Sequence, residues 1–177
     1  MADTIRIQDY LANCVQVVID QTTRGLRDLD QEELHFRPGE NCNSIAFDAW
    51  HIARTADNLV HFAFEREKPV WLQQGLDEAW GLPKVDQGTG MAPTDAYALR
   101  FPEPPALTQY CNDVAAAIVP RIEQMTDEYL LTPIVIKPNG ELPRYQIIGQ
   151  VIVNHGNNHI GQINLALTLL GKSGLGI

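Results

Sequence analysis

From Ile147 to Leu170 the chain runs through an apolar stretch without a proline, and near its middle lies Asn154-His155-Gly156-Asn157-Asn158-His159-Ile160-Gly161-Gln162. Such a stretch reads as one helix, because nothing in it removes a backbone donor or clashes with the preceding turn. Residues four apart on a helix share a face, about 40° apart and ~6 Å along the axis. His155 and His159 are therefore neighbours. The apolar stripe runs Ile148, Val151, Ile152, His155, His159, Gln162, Ala166 and Leu169, which turns both imidazoles toward a core. A single inward histidine is commonly a hydrogen-bonded core residue. Two stacked on one apolar face, each with ring nitrogens that need partners, fit a metal site. The pair requires a third ligand from elsewhere in the chain.

At 177 residues the chain forms one domain, residues 1–177, able to bury roughly 70% of its unfolded surface. A net charge of -9 with singly scattered Lys and Arg excludes the basic face that nucleic-acid binding needs. Small molecules are the expected partners. The opening Met1-Ala2-Asp3-Thr4-Ile5-Arg6 lacks a basic segment followed by an apolar one, and no run reaches the ~18 apolar residues of a membrane span, so a cytoplasmic protein is expected. Cys14, Cys42 and Cys111 stand alone, with no CxxC, which excludes a disulfide framework or a thiolate zinc site.

Helix 1 is expected from a Thr4 cap to about Gly25, with Ile7, Leu11, Cys14, Val15, Val18, Ile19 and Thr22 at helical spacing. Asp30-Gln31-Glu32-Glu33 is a capping box that opens a short connector ending before Pro38-Gly39. Asn43-Ser44 caps helix 2, which runs to about Glu65. From Lys68 to Pro105, prolines and glycines break every long element. This is a crossover, with Trp71-Leu72 extending the bundle end and helical turns at Thr94 to Arg100. A loop of this length is expected to carry function, and Gly88 to Arg100 is expected over the metal cavity. Helix 3 runs from about Pro105 to Met125, kinked by Pro120. Pro133 to Leu142 reads as a hairpin with an Asn139-Gly140 turn. Helix 4 follows from about Arg144 and leaves a loose tail from Gly171 to Ile177.

Helix 2 carries His51. In steps of about 100° per residue, Asn58 lies about 20° from it, Thr55 about 40° and Asp48 about 60°, whereas His61 falls about 80° and Asp57 about 120° away. His51, Thr55 and Asn58 therefore share a stripe, while His61 lies to the side and His35 sits in the connector. If helices 2 and 4 are neighbours, His51 joins His155 and His159, leaving coordination positions open.

Asn43-Ser44-Ile45-Ala46 leading to Trp50-His51-Ile52-Ala53-Arg54-Thr55-Ala56-Asp57, then Gly88-Thr89-Gly90 before a helix with Tyr110, then His155-x3-His159-x-Gly161-Gln162, resemble the DinB/YfiT-like superfamily of metal-binding four-helix bundles. The resemblance covers nearly the whole chain. The helical pattern itself describes an all-α four-helix bundle with a crossover between helices 2 and 3 and a small hairpin before helix 4, and the resemblance implies the same bundle. It also implies a divalent ion, zinc or nickel, on His51, His155 and His159, and a homodimer. Relatives of this kind transfer or isomerise small electrophiles with mycothiol, bacillithiol or glutathione. Thr55 stands where many relatives have an acid, which leaves the general base open. Gly156 occupies the position of the glutamate in HExxH, so peptidase chemistry is disfavoured. Asp48 is the acidic catalytic candidate by angle, Asn58 can orient water or substrate, and Arg54 is expected to pair with Asp57 on the helix flank. The leading expectation is a metal-dependent transferase or isomerase using a small thiol. The alternatives are a metal-dependent hydrolase and a metal- or ligand-binding bundle without turnover.

Overall fold

The computed structural model describes residues 6–176. Thr4, expected as the first helix cap, lies outside that range. Helix α1 spans Ile7–Leu26 and α2 spans Gln31–Leu34. The capping box forms as expected: Asp30 accepts from the Glu32 and Glu33 N–H groups, and Glu33 accepts from Asp30 N–H. Helix α3, Ile45–Asp57, starts on Ser44, whose hydroxyl accepts from Phe47 N–H at 3.1 Å. Every residue of α3 is buried. It is the central helix, so each polar side chain on it must find a partner inside the protein.

The crossover folds into short helices, α4 (Val70–Gln73), α5 (Leu76–Trp80) and α6 (Pro93–Ala98). Helix α7 spans Pro104–Glu123; Pro120, expected to kink it, falls in its last turn. After α8 (Asp127–Leu131), strands β1 (Pro133–Ile136) and β2 (Gly140–Pro143) pair antiparallel, Ile136 opposite Gly140. A short α9 (Arg144–Gln146) leads toward α10, His155–Leu169. Helix α1 packs on α3, α7 and α10, and α3 packs on α7 and α10, which makes the bundle. No helix among the described residues is long and apolar enough to cross a membrane.

Two of the expected helices are not uniform. Helix 2 continues beyond Asp57 as a π-helical turn, Asn58–Phe64, and helix 4 enters α10 through another, Ile147–Asn154. Bonding from i to i+5 widens the turn and shifts every later side chain off the 100° step. Hence the buried face of α10 is Gly156, Ile160, Ile163, Ala166 and Leu167, while Gln162 and Leu169, expected inside, are exposed. His155 and His159 are half-buried on its flank rather than deep in a core.

Gly156 fixes that rotation. A Cβ there would lie 2.8 Å from Val18 Cγ1, and one on Gly25 would lie 2.7 Å from Ile163 Cγ2. The two glycines let α1 and α10 touch backbone to side chain, which leaves both histidines facing α3.

Two expectations are corrected by burial. Asp57 does not pair with Arg54 on a flank. It is wholly buried and accepts from Val70 N–H at 2.8 Å, Trp71 N–H at 2.9 Å, Tyr110 O–H at 3.1 Å and His61 Nδ1 at 2.8 Å. A carboxylate off the core stripe of its own helix is thus stabilised by capping α4 and tying it to α7. Arg54, equally buried, lies over the Trp71 ring at 5.0 Å and reaches toward the Lys84 and Val85 carbonyls. The tail is not loose either. Leu175 is buried, its N–H donates to Asn164 Oδ1 at 2.7 Å, and its carbonyl accepts from Arg24 at 3.0 Å.

Candidate metal centre

With α3 against α10, His51 meets the other two histidines. His51 Nε2 and His159 Nε2 each lie 3.1 Å from His155 Nε2, and ring centroids are 4.6 to 4.9 Å apart. Nitrogens bound to one zinc ion at ~2.0–2.1 Å stand about 2.9 Å apart at right angles and about 3.3 Å apart in a tetrahedron. Both 3.1 Å spacings fall between these limits, and the three ligand atoms all lie within 4.8 Å of one another. Among the described residues this is the group of His, Cys, Asp and Glu side chains that can hold a metal ion.

The distal nitrogens decide what the near ones carry. His51 Nδ1 donates to the Gln87 carbonyl at 2.5 Å, and His159 Nδ1 donates to Asp48 Oδ1 at 2.9 Å. Each of these bonds places the proton on Nδ1 and leaves a lone pair on Nε2. Lone pairs converging at 3.1 Å repel unless a cation lies between them. His155 Nδ1 has no hydrogen-bond partner and is turned toward the Val151 carbonyl one turn back. Burial lowers the pKa of His51 to about 4, and burial followed by the neighbouring His159 lowers that of His155. Both favour the neutral form that ligates metal.

Asp48 works through His159. Burial raises its pKa, opposed by the hydrogen bond and charge of His159, and its Oδ1 also accepts from Asn43 Nδ2 at 2.9 Å. This carboxylate–histidine arrangement orients a ligand and raises its basicity. Asn58, the other expected catalytic residue, begins the π-helical turn roughly 10 Å along the axis from His51 and makes no side-chain hydrogen bond among the described residues. Thr55 is buried with its hydroxyl unpartnered. His35 is committed to the Gln31 carbonyl at 2.9 Å and to Phe101 N–H at 3.1 Å, and His61 to Asp57.

Sequence reasoning missed two contributors, the Gln87 carbonyl and the Phe47 ring, while Gly88 opens the crossover segment expected over the site. Gln87 acts through a backbone carbonyl, which carries no residue-type signal. Gly88, with φ of 96°, is where the crossover closes on the site: a Cβ there would lie 2.7 Å from Phe47 and 3.3 Å from His51 Nδ1. The Phe47 ring stacks on His51, centroids 5.8 Å apart, and its four-residue spacing from His51 was the available signal. The crossover thus meets the centre at Gln87 and Gly88, while residues 96–100 run past Phe47 and the His35 to Ser44 connector.

Fold and site together define a helix bundle with a three-histidine group able to hold a metal ion. The chain belongs to the DinB superfamily, whose family model matches residues 16–163. A solved structure described as the conserved protein of locus from Enterococcus faecalis shares the fold, with a TM-score of 0.82 and 20% identity over 96% of this chain and 100% of that one. Comparison with curated proteins gives no match.

Proposed function

We propose that the protein is a metal-dependent transferase or isomerase that joins a low-molecular-weight thiol to a small electrophile. His51, His155 and His159 hold the ion, zinc or nickel. When bound, that ion supplies Lewis acidity, which lowers the pKa of a coordinated thiol or water and makes it a nucleophile near neutral pH. The single observation that carries the reading is the convergence of His51 Nε2 and His159 Nε2 on His155 Nε2, at 3.1 Å each, beside an acid already committed. Asp48 is the one acid hydrogen-bonded to these imidazoles among the described residues, and its Oδ1 serves His159 and Asn43. Thiol chemistry suits such a site better than hydrolysis, because a coordinated thiol loses its proton outright and needs no protein base. Gln87 and Asp48 hold the imidazoles in place, and Phe47 covers one face of His51. The three free cysteines fit a reducing cytoplasm, and the family resemblance supports a homodimer.

The committed state of Asp48 also favours a second reading, a metal- or ligand-binding bundle without turnover. One experiment separates the two. Metal-loaded and metal-free protein are assayed with glutathione, mycothiol, bacillithiol and coenzyme A against a reactive electrophile. Faster thiol consumption by the loaded form supports transfer; equal rates across the whole panel leave the binding protein.

A further inference from the structure

Beside the metal centre, α6 and the connector between α2 and α3 enclose a groove of about 310 Å³ lined by Arg37, Asn43, Phe47, Tyr97 and Arg100 among others. The volume is at the small end of ligand sites. Two guanidinium groups are held there by Tyr97 and its neighbours. Arg37 lies over the Tyr97 face, 3.7 Å from its centroid, and Arg100 Nη1 donates to the Tyr97 and Leu99 carbonyls at 2.9 Å each. The stacking and the backbone bonds hold both side chains in place. Arg37 further reaches the Glu40 carbonyl, at 3.4 Å, and not a carboxylate. Neither arginine has a salt-bridge partner among the described residues, whereas Arg6 and Arg121 do.

In a chain with 22 acidic and 13 basic residues, two ordered guanidiniums sharing a concave site without a carboxylate are an unspent charge. Held forks with free N–H groups match the planar or tetrahedral oxygens of an anion. The groove also shares walls with the histidines. Phe47 stacks on His51, and Asn43 is two hydrogen bonds of 2.9 Å from His159 through Asp48.

We infer that this groove is an oxyanion subsite, in which Arg37 and Arg100 hold the carboxylate or phosphate group of the small molecule whose reacting end lies at the histidines. The inference rests on the proposed function only for what carries the oxyanion. Anion binding itself needs neither metal nor turnover. A substrate anchored here is oriented by its charged end, and an uncharged thiol lacks that hold.

The test follows succinate and inorganic phosphate, separately, by chemical-shift changes in ¹⁵N-labelled metal-free protein. Saturable changes confined to residues 35–47 and 96–100 are expected, with the tighter anion naming the group. The affinity should fall on the order of tenfold or more in Arg37→Gln/Arg100→Gln, since each charge-assisted hydrogen bond lost is worth about that much. Arg100→Gln alone, at an exposed position, guards against a folding defect in the pair. His155→Ala should keep the binding. The inference is overturned if the shifts never saturate, if the arginine variants bind as the wild type does, or if His155→Ala abolishes binding. Failure of thiol transfer leaves these shifts unchanged, so the two readings fail separately.

Discussion

Asp48 Oδ1 lies 2.9 Å from His159 Nδ1, and the carboxylate is on α3 while the imidazole is on α10. The bond ties the helix that carries His51 to the helix that carries the other two imidazoles, and it fixes the tautomer of one of them. Asp48→Asn keeps the shape but loses the charge that favours a proton on Nδ1. Metal affinity should fall on the order of 10–100-fold with far-UV circular dichroism unchanged, as read by competition against a chromophoric chelator. Unchanged affinity would mean that Asp48 does not act through His159.

Alanine at His51, His155 or His159 should each lower bound metal well below the wild-type content, while His35→Ala keeps it. His61→Ala should also keep metal but melt earlier, because it removes a donor to the buried Asp57. Stripping the metal with a chelator should cost only the stabilisation that binding adds by mass action. The large apolar core around Trp50, Trp71 and Tyr110 is built without His51, His155 or His159. The helical signal should therefore survive. Elemental analysis and circular dichroism read both outcomes, and full metal content in His51→Ala would refute the three-histidine site.

Gly156→Ala places a methyl group 2.8 Å from Val18 Cγ1, a branched side chain 1% exposed in the core. Overpacking of this kind costs about 1–3 kcal/mol, against which alanine recovers up to ~1 kcal/mol of helix propensity. A net loss of stability is expected in urea denaturation. A Val18→Ala partner substitution should restore part of it by opening the contact.

Asp57→Ala leaves two backbone N–H groups and the Tyr110 hydroxyl without their acceptor, and leaves His61 Nδ1 only the backbone carbonyl of residue 57 at 3.2 Å. Orphaning buried donors at about 1–3 kcal/mol each should destabilise the protein by several kcal/mol and loosen α4 first. Hydrogen exchange at Val70 and Trp71 reads that loosening directly. Retained protection at both amides would show that α4 is held by its packing alone.

Burial pushes the Cys111 thiol up to about 12, whereas Cys42 is exposed. Only the thiolate reacts with alkylating agents. At pH 8 iodoacetamide should modify Cys42 in the native protein and reach Cys111 only after denaturant is added, as mass spectrometry of the digested peptides will show. Labelling of native Cys111 at the rate of Cys42 would contradict its burial.

Much of this protein was legible in local pattern. The four-residue spacing of His155 and His159, the caps at Asp30 and Ser44, the four long amphipathic helices and the angular closeness of Asp48 to His51 are all periodicities or short-range hydrogen bonds. Such features depend on neighbours a few residues away. The resemblance to the DinB superfamily rested on the same boxes. What only tertiary structure decided involves partners far apart in the chain or departures from the helical step. The π-helical turns at Asn58–Phe64 and Ile147–Asn154 shifted the phase that a fixed 100° step assumes, so Gln162 and Leu169 came out exposed. Asp57 looked like a flank residue because its acceptors' partners, Val70, Trp71 and Tyr110, come from the crossover and from α7. The Gln87 carbonyl that orients His51 belongs to the backbone, which has no residue-type signature. The loose tail became an anchored one through Asn164 and Arg24. Helical periodicity says which side chains share a face; which faces meet, and which buried charges find partners there, is settled only when distant segments pack.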